Sequence, residues 1–275
     1  MKQNTPNRLK YSSWLKEQRS FLEMFQDKRV IVLFSGGKDS SIILDFILRA
    51  SLDFQFSFET HAGAFPEHRY IDIEKQKIDS YWKERGVKIH WHEMEQTDHD
   101  LKNAENPCKL CQQVRKELLR TLLPKMVDDW ERLILITSYS LWDIVSYSIE
   151  HLLADILSGP GDAHTDPLSK RFMETGQRFF PFLRMKEGYS VFRPLISYNG
   201  DDIINYITKK EVPTISIPCL FKEYRPKRIL EKYYEKMGLR FDYNHVLAFA
   251  KEALGLPDMK VYDSMDKEMY LKEFF

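Results

Sequence analysis

The 275-residue chain has three cysteines, no net charge and no long apolar run. Three thiols cannot build the disulfide framework of a small secreted domain. No stretch approaches the roughly eighteen apolar residues that mark a membrane span, and Met1 to Lys10 lacks the apolar centre of a signal peptide. Lys and Arg number 41 and Asp and Glu number 41, which excludes a protein that coats nucleic acid through bulk charge but leaves local basic patches allowed. These absences lead to the expectation of a soluble protein from a reducing compartment, most simply the cytoplasm, with no membrane contact. Apolar residues at 43% are enough for a core, so general disorder is excluded. The length allows one large domain, or a core domain with extensions.

Hydrophobic periodicity divides the chain. Tyr11, Trp14, Leu15, Phe21, Leu22 and Phe25 predict an N-terminal helix from Leu9 to Gln26. Val30 to Phe34 is a continuous apolar run, as in a strand covered on both faces, and Ile42, Ile43, Phe46 and Ile47 follow at helical spacing. Phe54, Phe56 and Phe58 alternate like a second strand. Ile71, Ile78, Tyr81 and Trp82 mark the helix after it, and Val87, Ile89 and Trp91 a third strand. Leu110, Val114, Leu118 and Leu122 place a long helix behind a Cys-x-x-Cys pair. Leu133 to Ile136 is a fourth strand, followed by a helix bearing Val145, Ile149 and Leu152. Strands alternating with helices predict an α/β fold, doubly wound, with a mostly parallel sheet and helices on both faces. In such folds ligands sit at the carboxyl ends of the strands.

From Ser158 to Gly188, glycines and prolines interrupt the pattern, predicting a long irregular loop. A strand near Tyr189 to Leu195, a helix near Asp201 to Lys210, and helices near Pro226 to Met237 and Tyr243 to Leu254 lead to an acidic, aromatic tail. The expected division is a helical extension over 1–28, a core domain over 29–220 and a C-terminal helical tail over 221–275.

Ser35-Gly36-Gly37-Lys38-Asp39-Ser40 lies between the first strand and its helix. There, backbone N–H groups and the positive helix end hold anions, glycines admit phosphate oxygens, Ser35 and Ser40 offer hydroxyls, and Lys38 offers charge. The spacing is not that of a Walker A loop. A plain connecting turn is the competing reading, and the whole hexapeptide in this position outweighs it.

Cys108 and Cys111 open a helix, and Cys219 follows Pro218. The pair reads as a redox couple or as two metal ligands, with thiol pKa values lowered by the helix end. A tetrahedral zinc site would need a histidine as fourth ligand, with His61, His68, His90, His92 and His99 as candidates, while Cys219 alone reads as a small buried apolar group.

The hexapeptide after a first parallel strand resembles the pyrophosphate loop of the N-type ATP pyrophosphatase (PP-loop) superfamily. The resemblance implies cleavage of ATP between its α and β phosphates, pyrophosphate held by Ser35, Gly36, Gly37, Lys38 and Ser40, and Mg²⁺ or the loop organised by Asp39. The motif also occurs in phosphoadenosine-phosphosulfate reductases. The further order Phe65-Pro66-Glu67-His68, Cys108-x-x-Cys111 with Arg115 and Lys116, Arg193-Pro194-Leu195 and Ile217-Pro218-Cys219 is similar to the tRNA 2-thiocytidine synthetases, over about residues 29–220. That resemblance implies a [4Fe-4S] cluster held by Cys108, Cys111 and Cys219 with one iron open. It also implies adenylation at C2 of a tRNA pyrimidine followed by sulfur insertion, catalytic roles for Asp39, Arg115 and Asp143, and a sulfur donor such as a cysteine desulfurase. A homodimer is compatible with it.

The family's Gly-His-His-x-Asp-Asp is here Ser138-Tyr139-Ser140-Leu141-Trp142-Asp143, retaining only Asp143, and its second Cys-x-x-Cys is reduced to Cys219. Two other readings stay open: a PP-loop enzyme that thiolates or desulfurises a small metabolite, and a non-catalytic nucleotide- or RNA-binding iron–sulfur sensor. Lys170, Arg171, Arg178, Arg184, Lys186 and Arg193, and Lys222, Arg225, Lys227, Arg228 and Lys232 after Cys219, are interleaved with aromatics. Such composition suits unstacked RNA bases, and equally a solvated face over ordinary core aromatics.

Overall fold

The computed structural model describes residues 9–157 and 167–271. Helix α1 (Tyr11–Leu22) buries Trp14, Gln18 and Leu22, one residue per turn. Strand β1 (Arg29–Leu33) leads into α2 (Lys38–Phe54), then β2 (Phe58–Gly63), α3 (Asp72–Lys83) and β3 (Ile89–His92). A short α4 (Asp98–Asn103) precedes α5 (Pro107–Met126), β4 (Leu133–Ile136) and α6 (Leu141–Leu157). Beyond it come α7 (Pro167–Gly176), β5 (Phe182–Arg184), β6 (Ser190–Phe192) and α8 (Gly200–Lys210). The chain continues through α9 (Pro226–Met237), α10 (Tyr243–Ala253), α11 (Met259–Asp263) and α12 (Lys267–Met269).

The six-stranded sheet has the order β3-β2-β1-β4-β6-β5. All neighbours are parallel except β5, which runs antiparallel to β6 at one edge. Successive residues feed opposite faces: Val30, Val32, Ile134 and Ile136 join one core with Ile43, Phe46, Ile47, Trp82 and Ile203. Ile31, Leu133, Leu135 and Val191 join the other with Leu123, Leu183, Tyr189 and Tyr262. Helices therefore cover both faces, the doubly wound α/β arrangement expected from the uninterrupted apolar strands.

Three local expectations are corrected. Phe54 ends α2 rather than starting a strand, Gln55 caps the helix in the left-handed conformation at φ 56°, and β2 begins only at Phe58. The alternation of three phenylalanines imitated a strand, but Phe56 instead meets Phe25 edge-on at 5.1 Å. Within the stretch read as irregular, the described part from Pro167 onward holds α7 and β5; residues 158–166 lie outside the described residues. A turn at Gly188 (φ 88°), closed by Met185 N donating to Tyr189 O at 2.8 Å, joins β5 to β6. A three-residue strand is too short to show alternation.

The C-terminal segment, read as a tail, is packed as far as Leu271: Tyr262 and Tyr270 are fully buried. Its acids serve as helix caps, Asp258 accepting from Lys260 N at 2.9 Å and Asp266 from Met269 N at 2.8 Å.

Candidate active site

The carboxyl end of β1 delivers the chain into Ser35–Gly37, and Gly37 is the N-cap of α2. A glycine cap has no side chain to satisfy the first-turn N–H groups, so these remain available to an anion. Gly36 lies at φ 64° with its carbonyl accepting from Ile215 N at 2.8 Å, and a Cβ there would stand 2.5 Å from Ile215 Cγ1. The two serines hold the loop shut: Ser35 N donates to Ser40 Oγ at 3.2 Å, the hydroxyls lie 3.1 Å apart, and Ser40 Oγ donates to Gly37 O at 3.0 Å. Tyr70 OH, donating to Ser35 O at 2.9 Å, braces the loop from outside.

Lys38 Nζ lies 2.8 Å and 3.0 Å from the two oxygens of Asp39. Burial disfavours the Asp39 charge, but Lys38, with Lys227 and Arg228 behind it, outweighs burial and holds the carboxyl below its ordinary value. Asp143 caps α6, accepting from Ser140 N at 2.7 Å and Ser140 Oγ at 2.8 Å, and forms an ion pair with Lys227 of α9. Burial pushes the Lys227 ammonium down, opposed by Glu231 and Asp39. Lys38, Asp39, Asp143 and Lys227 thus make one charge cluster beside the serine–glycine loop. Lys227 counted in the sequence only as one more basic residue, because its partners come from α2 and α6.

Cys108, Cys111 and Cys219 are free thiols with partial burial. Cys108 Sγ donates to Phe221 O at 3.4 Å, the charges of Cys111 and Cys219 bear on Cys108, and that of Cys219 bears on Cys111. The expected lowering of the thiol pKa values is corrected: burial raises both Cys108 and Cys111, more than Arg225, and for Cys111 also Arg115, can offset. Among the described residues no three His, Cys, Asp or Glu side chains converge to hold a single metal ion, which leaves the tetrahedral zinc reading without a ligand set. A four-iron cluster spreads its ligands more widely. Three undisulfided thiols in one corner, in the field of Arg69, Arg115 and Arg225, have the composition and positive surround such a group needs. For Mg²⁺ the donor set is leaner, since Lys38 and Lys227 already answer the two carboxylates. Asp39, together with the phosphates of a bound nucleotide, is the fit on offer.

The corner is stitched to the phosphate loop. Ser41 Oγ donates to Pro213 O at 3.3 Å, Ser216 N and Oγ to Glu74 at 2.7 and 2.6 Å, and Arg69 Nε to Ile217 O at 3.1 Å. His68 donates through Nδ1 to Asp98 at 2.8 Å and accepts Leu220 N at Nε2 at 3.1 Å, with tautomers fixed by these partners. Arg115 reaches back from α5, Nε donating to Phe65 O at 3.2 Å and Nη2 to Tyr70 OH at 3.2 Å. It therefore bridges the cysteine helix and the phosphate-loop brace.

Not every basic residue of the sequence faces solvent. Arg193 is buried, donating to Phe180 O at 3.1 Å, to Tyr270 OH at 3.1 Å and to Gln177. Arg178 packs over Tyr139 and Tyr147 at 5.0 and 5.1 Å, so Tyr139 carries an arginine on its ring. His61, His90 and His92 form a further cluster outside the site. His61 and His90 stack at 4.9 Å, and His61 Nδ1 lies 2.9 Å from His92 Nε2.

The serine–glycine loop thus lies between the first strand and the first sheet-covering helix of a doubly wound α/β fold. The chain is similar to the U34-tRNA thiolase NcsA from Methanococcus maripaludis, solved with its [4Fe-4S] cluster. That match has a TM-score of 0.63 at 12% identity, over 90% of this chain and 81% of that one. It also aligns with NMN synthetase from Francisella tularensis at 10% identity, over 97% of each chain, with a TM-score of 0.41. No protein-family model and no curated protein matches the chain. At such identities the likeness is one of fold. Among the described residues no helix is long and apolar enough to cross a membrane.

Proposed function

We propose that this protein is an ATP-dependent PP-loop enzyme that adenylates a nucleobase oxygen, in tRNA, and exchanges it for sulfur. The observation that supports the reading is the stitched run 213–217, which hydrogen-bonds to Gly36, Ser41, Glu74 and Arg69 and ends two residues before Cys219. The loop N–H groups, Ser35, Ser40 and Lys38 hold the β and γ phosphates. The base oxygen attacks the α phosphorus, the bond to the bridging oxygen breaks, and pyrophosphate leaves with negative charge that the loop N–H groups and Lys38 offset. Sulfur then replaces the adenylated oxygen and AMP departs. Cys108, Cys111 and Cys219 would hold a [4Fe-4S] cluster, which would supply the sulfide for the exchange. Arg115 holds Phe65 and Tyr70 in register with that corner. A cysteine desulfurase is the class of donor that would replenish the sulfur.

The competing reading, a nucleotide-binding sensor without turnover, draws on Asp143 being taken up by Ser140 and Lys227. Anaerobically purified protein given ATP, Mg²⁺, sulfide and bulk tRNA should release AMP and pyrophosphate and incorporate sulfur. ATP binding without AMP release would support the sensor. Iron and sulfide should be present in wild type and fall in Cys219→Ala, and a wild type without iron would sink the cluster.

A further inference from the structure

The inner face of α9 builds the site, placing Lys227 against Asp143 and Tyr234 OH 3.3 Å from Ser146 Oγ. Its outer face is exposed, yet it is not an ordinary solvated surface. Ile229, Tyr233 and Met237 stand one turn apart and are 64, 53 and 55% exposed, and Tyr224 just before the helix is 45% exposed. Lys232 and Lys236 lie beside this stripe, and Lys222 and Arg225 extend it toward Cys219. None of these four cations enters an ion pair among the described residues, and the exposed acids on this stretch are Glu223 and Glu235.

Resting on the tRNA reading above, we infer that the outer face of α9 is the docking surface for a single-stranded RNA segment. Its phosphates would lie on Lys222, Arg225, Lys232 and Lys236, and unstacked bases would lie on Tyr224, Tyr233 and Ile229. Alternating cations and aromatics match a chain that alternates phosphates and flat bases. Twelve residues give α9 about 18 Å of length, the span of several phosphates. A second copy of this chain fits less well. Interface centres are depleted in lysine, and a two-fold contact through this helix would bring unpaired lysines toward one another. The face is also continuous with the reactive rim: the turn Lys222–Tyr224 that starts it follows Phe221, whose carbonyl holds Cys108.

Fluorescence-detected binding of bulk tRNA over a salt series tests this, using full-length protein, K232A/K236A and Tyr233→Ala, with sedimentation velocity on each. Wild type should bind with an affinity that falls as salt rises. K232A/K236A should bind more weakly and lower the slope of log K against log salt by about 1.4. Tyr233→Ala should weaken binding about tenfold with the slope unchanged. Both variants should keep the wild-type melting temperature and ATP affinity, since all three side chains are exposed. Wild-type tRNA binding that survives in both variants would overturn the docking face while leaving the thiolation reading standing. Wild type that binds no tRNA at any salt would overturn that reading and the face with it. A wild-type dimer dispersed by Tyr233→Ala, with tRNA binding intact, would overturn the RNA assignment in favour of self-association.

Discussion

Lys227 of α9 is ion-paired with Asp143 of α6, and the aspartate is 1% exposed. Removing one partner strands the other. Lys227→Met should cost about 3–5 kcal/mol in urea unfolding, because it leaves a buried carboxylate without its cation, and Asp143→Asn should cost less because Ser140 can still be capped. The double variant should be more stable than the sum of the single losses predicts. Strict additivity in that cycle would show that the pair is not coupled.

The two loop glycines should separate folding from binding. Gly36→Ala meets both a left-handed backbone and the Ile215 side chain, and a loss of about 2–4 kcal/mol is expected. Gly37 has an ordinary φ of −82° and a Cβ there would lie 3.4 Å from Ser35 Oγ. Gly37→Ala should change stability by about 0.5 kcal/mol or less and weaken ATP binding measured by calorimetry. Equal melting temperatures for the two variants would contradict this assignment.

Buried thiols are poor nucleophiles. In iron-free protein, Cys108 and Cys111 are held above the ordinary thiol value, so iodoacetamide should alkylate them at pH 7.5 more slowly than free cysteine. The rate should rise steeply with pH beyond the usual thiol range and jump on unfolding. Peptide mapping that finds either cysteine faster than the small thiol would reverse the sign of the shift.

His61 gives a pH dependence of folding. Burial, reinforced by the charges of His90 and His92 and opposed by Glu59, pushes its pKa down to about 4. An unfolded histidine takes its proton near pH 6.5, so the unfolded state binds more protons between these values and stability falls as pH drops from about 6.5 to about 4. The full loss is about 3 kcal/mol at the acid end, and His61→Gln should flatten that part of the urea-midpoint profile. An unchanged slope would remove His61 as its source.

Elements with a complete apolar pattern were legible in the sequence. The β4 run Leu133–Ile136 and the helices Pro226–Met237 and Tyr243–Ala253 follow from period alone, and the turn between β1 and α2 from the glycines of its hexapeptide. What escaped was decided by distant partners. Phe54 and Phe58 belong to different elements because Gln55 turns left-handed between them. Arg193 counted as a surface cation because nothing local announces Gln177 and Tyr270. The cysteine pKa values went the opposite way because helix position is visible in sequence and burial is not.

The run from Pro213 to Cys219 works as a ruler. Its hydrogen bonds to Gly36, Ser41, Glu74 and Arg69 run from Pro213 to Ile217, fixing the path from the serine–glycine loop to within two residues of the last thiol. The gap between the loop and Cys219 is therefore set by chain length rather than by any one side chain. A single inserted residue between Ser216 and Cys219 would lengthen that gap by one backbone step while sparing every group on either side of it.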